Sequence, residues 1–494
     1  MRKTKIVVTI GPSCKSEHNL KQLIKKGVDV FRLNMSHGDL SSHKTVVQQI
    51  QKLSTHLDRP TAILVDIQGP KIRLGHFKNG RIKLKRKQRF ILTTQEVMGD
   101  QEIVSVNYKS LPKDVKPGDR ILLDDGLIEL KVLGTSSKEI TTEVVFNGIL
   151  SDRKGLNLPD SFLSLPVLTS KDKLDIRFAV DHNIDYLALS FVRRSEDLGQ
   201  IRKLLRELGN SELPIIAKIE NPQAIDNLQN ILQASDGIMI ARGDLGVELP
   251  TESVPVLQKE LITAAIGLAK PVITATQMLE SMINSPRPTR AETSDVANAI
   301  LDGTDALMLS AETAIGRFPL EAVETMNRIA THTEDRSGPY VRFVKERSYS
   351  QNRSSTTTYG VCRAALLAAN QLNTDKIIVF TASGTTANII SSFRPRQTIF
   401  AFTHSKPVFP RLNLLRGVFP VLIDKIANTD TLIQIADQIL IERKLGIPNE
   451  TVVIVAGVMN VQGATNMMKI HQVGTSVSEE GLSSQEDDHK ARLF

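Results

Sequence analysis

Eight short apolar runs, rich in β-branched residues, recur along this chain, each followed by a stretch with helical periodicity. Continuous apolar runs are typical of strands that are buried on both faces of a parallel sheet. Eight such strand–helix units predict an α/β fold of the (β/α)8 type, the TIM barrel. The runs are Ile6–Ile10, Val30–Leu33, Ala62–Asp66, Tyr186–Ser190, Ile215–Ile219, Gly237–Ile240, Val272–Thr276 and Ala306–Ser310.

Residues 70–166 separate the third run from the fourth and have a different pattern. Alternating apolar and polar residues lie between turn signals such as Asn79-Gly80 and Pro117-Gly118. This pattern predicts short strands with one solvated face, and therefore an inserted small β-barrel domain. The insertion follows the C-terminal end of a barrel strand, where barrel active sites lie, so we expect it to act as a lid.

The pattern changes again in the polar, Ser- and Arg-rich stretch 336–358, which reads as a linker. A second series of strand–helix units follows and predicts a C-terminal α/β regulatory domain. The predicted organisation is a discontinuous barrel of residues 1–69 and 167–340, a lid of residues 70–166, a C-terminal domain of residues 355–474 and a polar tail of residues 475–494.

The net charge of +8 indicates attraction for anions, such as nucleotides and sugar phosphates. The densest basic stretch runs from Lys78 to Arg89, and its cations alternate with other residues, as on one face of a strand. No aromatic residues are interleaved with these cations, so we expect a solvated strand face and no nucleic-acid partner.

The composition also indicates the cellular compartment in which the protein is expected. No apolar run approaches the roughly 20 residues that span a bilayer, so no membrane partner is expected. The run Ile6–Val8 is too short for the core of a signal peptide, and the two cysteines, Cys14 and Cys362, cannot form a disulfide framework. We therefore expect a cytoplasmic enzyme with reduced thiols.

Polar side chains and glycine turns follow the predicted strands at the end where barrel enzymes carry their catalytic groups. Glu220 and Asp244 follow neighbouring strands and offer the hard oxygen ligands that Mg²⁺ prefers. Arg32, Arg73 and Lys218 can neutralise a moving phosphoryl group. Together these residue types indicate phosphoryl transfer.

Long segments, in the same order, resemble the pyruvate kinase family. Among them are KIVVTIGPSC, FRLNMSHGD, GPKIRLG, AKIEN and SDGIMIARGDLGVELP. The resemblance runs from the N-terminus through Val323 and continues more loosely to Val473. It implies transfer of the phosphoryl group of phosphoenolpyruvate to ADP, giving pyruvate and ATP in the last step of glycolysis. It also implies a homotetramer.

The resemblance implies the following roles. Arg32, Lys218 and Thr276 would be catalytic, and Glu220 and Asp244 would hold Mg²⁺, with Mn²⁺ as a substitute. The residues implied for substrate binding are Arg32, Lys218, Gly243, Asp244 and Thr276, and those for nucleotide binding are Asn34, His37, Arg73 and Lys154. Those implied for the region of a monovalent cation are Asn34, Ser36, Asp66, Ile67 and Lys71. The donor of the proton to the enolate carbon stays open.

One position departs from the motif of much of the family, which reads Asp-Thr-Lys-Gly-Pro-Glu-Ile-Arg-Thr. Here Lys71 stands where that motif has Glu. A lysine ammonium is a compact monovalent cation on a flexible stem, so it can take the place of K⁺ beside the phosphates. We expect an enzyme that does not require K⁺, the alternative being a solvent-facing lysine on a hinge.

A Ser/Thr-rich loop follows a strand of the C-terminal domain and resembles the family's loop for an allosteric sugar phosphate. Backbone N–H groups and hydroxyls there can bind a phosphate, the alternative being an ordinary helix cap. The loop residues are Thr381, Ser383, Gly384, Thr385 and Thr386. The second half of the region, 457–466, lacks the tryptophan of some bisphosphate-regulated relatives, so a monophosphate sugar, a nucleotide and a bisphosphate all stay open as the effector.

Two other functions are compatible with part of this residue pattern. A metal-dependent carbon–carbon lyase on the same barrel would also bind pyruvate through Mg²⁺, but it would not need the lid or the basic residues Arg73 and Lys154. A non-catalytic sensor of phosphorylated metabolites would rely on the C-terminal loop alone, and the intact set of strand-end residues argues against it.

Overall fold

The computed structural model describes residues 1–161, 164–336, 353–425, 428–457, 465–475 and 492–493. The chain begins with alternating strands and helices: β1 (Lys5–Thr9), α1 (Glu17–Lys25), β2 (Val30–Asn34), α2 (Leu40–His56) and β3 (Ala62–Ile67). The two helices begin where a side chain caps the first turn. Ser16 Oγ accepts from Asn19 N at 3.2 Å, and Asp39 Oδ1 accepts from Ser42 N at 2.9 Å.

The insertion after β3 is built of short strands, as predicted. Its elements are β4 (Arg81–Leu84), β5 (Arg89–Thr93), β6 (Ile103–Ser105), α3 (Leu111–Asp114), β7 (Arg120–Leu123), β8 (Ile128–Thr135), β9 (Glu139–Phe146), β10 (Gly148–Ser151) and β11 (Leu156–Asn157). A six-stranded sheet has the order β11-β7-β8-β9-β5-β6, and β10 pairs with β4. Buried residues alternate along β9, so the inward side chains form a separate apolar core around Phe90, Leu130 and Val144.

The chain then returns to strand–helix units. These are α4 (Ser170–Asp181), β12 (Tyr186–Leu189), α5 (Ser195–Glu207), β13 (Ile215–Ile219), α6 (Pro222–Asp226), α7 (Leu228–Ala234), β14 (Gly237–Ala241), α8 (Arg242–Glu248), α9 (Val254–Gly267), β15 (Val272–Ala275), α10 (Arg290–Leu301), β16 (Ala306–Leu309), α11 (Ala311–Ala314) and α12 (Pro319–Arg336). Two 3₁₀ turns, Thr251–Ser253 and Glu280–Ile283, complete this part of the chain.

Eight parallel strands close into a barrel, in the order β1-β16-β15-β14-β13-β12-β3-β2. Each contains most of one of the eight apolar runs, so the TIM-barrel prediction is confirmed. The register pairs Asn34 of β2 with Asp66 of β3 and brings the C-terminal ends of the strands to one rim. Strand residues are buried on both faces, which explains why the runs are continuous rather than alternating.

The C-terminal part forms a second α/β unit. Its elements are α13 (Arg353–Gln371), β17 (Lys376–Phe380), α14 (Thr385–Ser392), β18 (Thr398–Thr403), α15 (Val408–Arg411), β19 (Val418–Leu422), α16 (Thr429–Glu442), β20 (Thr451–Ala456), β21 (Met467–Gln472) and β22 (Arg492–Leu493), with a 3₁₀ turn at Leu412–Leu414. The sheet order is β21-β20-β17-β18-β19-β22, and its two edge strands run antiparallel to their neighbours.

Buried polar contacts join this unit to the base of the barrel. The Arg394 guanidinium donates to both carboxylate oxygens of Asp305, at 3.0 and 2.7 Å, and both side chains are 2% exposed. Lys5 Nζ donates to Val418 O at 2.7 Å, and Tyr186 OH donates to Arg411 O at 2.6 Å. Because a buried ion pair is costly to separate, these contacts hold the two units in one orientation.

Some predictions fall on residues that the structure does not describe. They concern residues 337–352 of the expected linker, 458–464 of the second half of the effector region and 476–491 of the polar tail. The exact domain boundaries also stay predictions. None of the helices in the described ranges has both the length and the apolar character needed to span a membrane.

Candidate active site

Four charged side chains form a buried cluster at the C-terminal rim of the barrel. Arg32 donates from Nε to Asp66 Oδ2 at 2.8 Å, and its Nη2 lies 2.7 Å from the same oxygen. Lys218 Nζ lies 3.6 Å from Asp66 Oδ1 and 3.2 Å from Glu220 Oε2. The barrel brings these residues together because they end three strands, β2, β3 and β13, that meet at one rim.

The charges in the cluster shift one another's pKa. Burial opposes the charge of Lys218, but the carboxylates Asp66, Glu220 and Asp244 outweigh it and raise the pKa of the lysine. Burial likewise opposes the charge of Asp66, and Lys218 and Arg32 outweigh it and lower the pKa of that carboxyl group. Lys218 is therefore a fixed cation at neutral pH rather than a base.

Glu220 is the least compensated member of the cluster. Its burial raises its pKa, and the nearby charge of Asp244 adds to this effect against the opposing charge of Lys218. With all groups ionised, Asp66, Glu220 and Asp244 outnumber Lys218 and Arg32 by one negative charge. The site therefore fits one further cation on the side of Glu220 and Asp244.

The carboxylate oxygens of Glu220 and Asp244 are the kind of ligand that a hard divalent cation prefers. The described ranges contain no group of three or more His, Cys, Asp or Glu side chains that could hold a metal ion. A cation bound here would take two carboxylates from the chain and the rest of its oxygens from substrate and water, as Mg²⁺ usually does.

Two residues of this rim were missed by the sequence analysis. Ser190 Oγ accepts from Lys218 Nζ at 2.6 Å and donates to Ile67 O at 2.9 Å. Phe191 has a left-handed backbone, with φ of +58°, and its N–H donates to Glu220 Oε1 at 2.5 Å. Ser190 ends the fourth apolar run and Phe191 follows it, so the rule that places barrel site residues at strand ends applies to both.

Strand β1 contributes a third residue that the sequence analysis missed. Thr9, the last residue of β1, accepts from Arg32 Nη1 through its Oγ1 at 2.9 Å and donates to Leu309 O at 2.9 Å. Together with Asp66, it fixes the plane of the Arg32 guanidinium. A fixed guanidinium is a prerequisite for recognising a phosphoryl group through two N–H groups.

Gly243 and Thr276 are brought together by the neighbouring strands β14 and β15. Gly243 N donates to Thr276 Oγ1 at 2.7 Å, and the Thr276 hydroxyl donates to Ala275 O at 2.6 Å. Thr276 and Gln277 both have left-handed backbones, with φ of +69° and +53°. Strained backbone of this kind concentrates at functional sites, where the surrounding structure enforces it.

Arg242 supports this strained turn. Its guanidinium donates to Thr276 O at 2.8 Å and to Asp295 Oδ1 at 2.7 Å. The ion pair connects the start of α8 with α10, and the N–H of Gly243 ties the Thr276 hydroxyl to the first turn of α8, which contains Asp244.

The lid residues predicted for nucleotide binding stand apart from the cluster. Arg73 Nη1 donates to Arg153 O at 3.1 Å, and Lys154 Nζ lies 2.7 Å from Asp124 Oδ1. Neither contacts Arg32, Asp66, Lys218 or Glu220 in the part of the chain that the structure describes. The structure thus assembles the barrel residues but not the lid cations around one point.

The residues predicted around a monovalent cation are only partly assembled. Asn34 Oδ1 accepts from Ser36 N at 3.1 Å, next to Asp66 on the neighbouring strand. Lys71 lies against Gly155 of the lid, with Cε 3.0 Å from the position that a Cβ there would occupy. Among the described residues, no carboxylate lies within ion-pair distance of Lys71.

His37 lies beside this region and is exposed. Its carbonyl oxygen accepts from His43 Nε2 at 2.8 Å, which ties the loop after β2 to the first turn of α2.

The predicted effector loop forms a compact turn before α14. Thr381 Oγ1 accepts from Gly384 N at 2.9 Å, and the hydroxyls of Ser383 and Thr385 lie 2.9 Å apart. Gly384 has φ of +87°, a conformation that favours glycine. Thr386 is buried, and its hydroxyl is bonded to that of Thr465 at 2.6 Å, so it faces the second half of the region.

Comparisons with known proteins agree with this architecture. Residues 1–323 match the family model for the pyruvate kinase barrel domain, and residues 360–471 match that for the pyruvate kinase alpha/beta domain. Pyruvate kinases of Staphylococcus saprophyticus and Bacillus licheniformis are 46% and 44% identical to the chain, over 97% of it and 82% of each relative.

A solved structure gives the same result for the fold. The crystal structure of a pyruvate kinase from Cryptosporidium parvum superposes with a TM-score of 0.90 at 38% identity, and the match covers 96% of both chains. By sequence and by architecture, the chain belongs to the pyruvate kinase family, phosphotransferases that move the phosphoryl group of phosphoenolpyruvate to ADP.

Proposed function

We propose that the buried cluster of Arg32, Asp66, Lys218 and Glu220 is where this chain transfers the phosphoryl group. The observation that carries the proposal is the position of Lys218 Nζ, 3.2 Å from Glu220 Oε2 and 3.6 Å from Asp66 Oδ1. A permanent cation beside a two-carboxylate metal site is suited to a reaction whose catalysis is mainly positioning and charge neutralisation.

Mg²⁺ is the proposed metal, held by Glu220 and Asp244, with Mn²⁺ as a substitute. The excess negative charge of the cluster and the raised pKa of Glu220 support a cation at this position. When bound, the divalent ion supplies Lewis-acid stabilisation of negative charge on the substrate oxygens.

The chain's own residues act on the phosphoryl group as fixed charges. The bond between phosphorus and the enolic oxygen of phosphoenolpyruvate breaks, and a bond forms between phosphorus and a β-phosphate oxygen of ADP. Lys218 stays protonated throughout because its pKa is raised, and Arg32 is oriented by Asp66 and Thr9. Both cations neutralise charge on the transferring oxygens.

Gly243, Asp244 and Thr276 are the proposed contacts of the carboxylate end of the substrate. The enolate left after transfer must take a proton at carbon, and a hydroxyl alone is a poor acid. The Thr276 hydroxyl already accepts from Gly243 N and donates to Ala275 O. It is therefore proposed to orient the reacting end and to pass on a proton from water rather than to act as the acid itself.

The nucleotide is proposed to bind between the rim and the lid, with Asn34 and His37 on the barrel side and Arg73 and Lys154 on the lid side. The Lys154–Asp124 ion pair would have to open before Lys154 reached a phosphate. Lid closure is therefore expected to exchange one carboxylate partner of Lys154 for a phosphate.

Lys71 is proposed to make K⁺ unnecessary in the region of Asn34, Ser36, Asp66 and Ile67. Its charge has no carboxylate partner within the described ranges, which supports a role toward the anionic substrates. Its position against Gly155, at the hinge of the lid, would move the ammonium toward the rim when the lid closes.

Regulation by a phosphorylated metabolite is proposed at the loop Thr381–Thr386. The proposal is supported by a series of contacts that connect that loop with the barrel. α14 begins at the loop, Asn388 Nδ2 in its middle donates to Ala269 O at 2.6 Å, and Arg394 beyond its end pairs with Asp305 before β16. A homotetramer in the cytoplasm is proposed from the family alone.

A lactate dehydrogenase-coupled assay with phosphoenolpyruvate and ADP tests these proposals. Activity is expected with Mg²⁺ or Mn²⁺, none after chelation, and no more than a small change when K⁺ is left out. Full dependence on K⁺ would overturn the role of Lys71.

Repeating phosphoenolpyruvate saturation with fructose bisphosphate, a hexose monophosphate and a nucleoside monophosphate identifies the effector. Identical saturation curves for all three compounds and for buffer would overturn the regulatory proposal.

A further inference from the structure

A cavity lies at the opposite end of the barrel from the catalytic rim. Its volume is about 590 Å³, within the range of small-molecule sites. The start of β3 and the loops that precede β3, β12 and β13 form one wall, including Thr61, Ile63 and Asp185. The C-terminal unit forms the other wall with α15, including Phe409 and Arg411. We call this space the barrel-base cavity.

Two buried polar atoms of its lining have no hydrogen-bond partner in the described part of the chain. They are Thr61 Oγ1 and Arg411 Nε. The rest of the Arg411 side chain is held in place, since its Nη1 donates to Glu212 O at 3.1 Å. Buried polar groups in proteins are nearly always paired, so these two atoms mark where a ligand atom is expected.

Asp185 adds an acceptor to this pair. The residue is 8% exposed, and its Oδ2 accepts from Ile63 N at 2.7 Å. Its other carboxylate oxygen forms no hydrogen bond within the described ranges. The cavity lining therefore offers one acceptor, one fixed N–H donor and one hydroxyl that can act as either.

The charge of the lining selects among ligand classes. Three acidic residues, Asp58, Asp185 and Glu212, are balanced by three basic residues, Arg59, Lys406 and Arg411. Much of the remaining wall is apolar, with side chains such as Ile63, Ile184, Phe409 and Leu422. Burial raises the pKa of Asp185 to about 7, so above that pH the lining carries no net charge and gives neither anions nor cations an electrostatic advantage, unlike the catalytic rim.

We propose that the barrel-base cavity is a binding site for a neutral small molecule with an apolar body and one amide-type polar edge. An N–H of that edge donates to the open oxygen of Asp185, and its carbonyl oxygen accepts from Arg411 Nε and from the Thr61 hydroxyl. The apolar body lies against Phe409 and Ile184. The site does not depend on the catalytic rim and contacts both the barrel and the C-terminal unit.

The absence of tryptophan from this chain makes binding directly measurable. In a Phe409→Trp variant of the full chain, all tryptophan fluorescence comes from the wall of the cavity. Three probes share one ring and differ in charge: benzamide, benzoate and benzylammonium. At about pH 8, above the pKa of Asp185, benzamide is expected to give a saturable change, with the two charged probes about tenfold weaker, a difference of roughly 1.4 kcal/mol.

Two further variants test the polar contacts. In the Phe409→Trp background, Thr61→Val and Asp185→Asn are each expected to weaken benzamide binding several-fold. Thr325→Val removes a similarly buried hydroxyl from α12, away from the cavity, and is expected to leave binding unchanged. Saturation-transfer NMR on the wild-type chain must show the same order of the three probes, which excludes an effect of the tryptophan itself.

Three results of these binding measurements would overturn the proposal. Equal affinity for the three probes, no saturable binding of benzamide, or benzamide binding unaffected by both Thr61→Val and Asp185→Asn would overturn the proposal. Phosphoryl transfer is measured in parallel on each variant and is expected to persist, so loss of probe binding cannot be mistaken for failure of the catalytic proposal.

Discussion

Lys218 and Glu220 are separated by one residue at the end of β13, and both side chains lie in the buried cluster, with Nζ 3.2 Å from Oε2. Neither is neutralised by the other alone, because Lys218 also interacts with Asp66 and Glu220 also with Asp244. The pair therefore offers a permanent cation and a metal ligand side by side. This arrangement separates the proposed tasks of charge neutralisation and metal binding between two residues.

Replacing Lys218 with methionine tests the first task. Lys218→Met keeps most of the stem but removes the charge, so kcat is expected to fall by roughly 10²–10³-fold, the cost of one transition-state contact. Steady-state kinetics with phosphoenolpyruvate and ADP measure the effect. Lys173→Met, at an exposed lysine of α4, is the control, and an equal loss in the two variants would contradict the role of Lys218.

Ser190 is expected to act as a positioning residue for Lys218. Ser190→Ala removes the acceptor at 2.6 Å from Lys218 Nζ and the donor to Ile67 O, so kcat is expected to fall by about tenfold. Ser190→Thr keeps the hydroxyl and should restore most of the loss. If the alanine and threonine variants are equally impaired, the effect lies in packing and not in the hydrogen bonds.

Lys71 is expected to control the dependence on K⁺. Lys71→Glu places a carboxylate at this position, so the variant should need added K⁺ for activity, whereas the wild type should not. Lys71→Gln, which removes the charge without adding a carboxylate, is the matched comparison. Rates are measured in buffers with Na⁺ or K⁺ alone, and the idea fails if all three proteins respond to K⁺ alike.

Asp185 should make stability depend on pH. Burial raises the pKa of Asp185 from its ordinary 3.8 to about 7, although Ile63 N and Arg411 oppose the shift. The folded state therefore binds this proton more tightly than the unfolded chain. The stabilisation is complete below pH 4 and is lost as pH rises through 7, by an amount of roughly 4 kcal/mol.

Thermal unfolding at pH 6 and pH 8 measures this effect. Asp185→Asn, which stays neutral, is expected to narrow the gap in melting temperature between the two pH values. A gap as wide in Asp185→Asn as in the wild type would show that the carboxyl group is not the cause.

The buried pair of Arg394 and Asp305 should be essential for joining the two units. Arg394→Gln leaves the Asp305 carboxylate without its bidentate partner, so the free energy of unfolding is expected to fall by roughly 3–5 kcal/mol. Arg396→Gln, at an exposed arginine two residues later, should change stability little. Urea unfolding compares the two, and the response of phosphoenolpyruvate saturation to effectors shows whether the pair also transmits regulation.

The barrel and most of its rim could be predicted from the order of the amino acids alone. Strand burial on both faces appears as continuous apolar runs such as Ile215–Ile219, and this signal is local to each run. Parallel strands in a closed barrel must end at one rim, so residues after the runs, such as Lys218 and Glu220, could be grouped without knowing any distance. The alternating pattern of the inserted lid is equally local.

Contacts between distant segments of the chain could not be predicted in this way. The bond from Lys218 to Ser190 depends on rotamers at the ends of two strands, and the position of Lys71 against Gly155 depends on how the lid is oriented. The barrel-base cavity brings Thr61, Asp185 and Arg411 together from separate parts of the chain. The periodicity of a single segment does not predict such contacts. They depend on how the barrel, the lid and the C-terminal unit pack against one another, and not on which residues of each segment are buried.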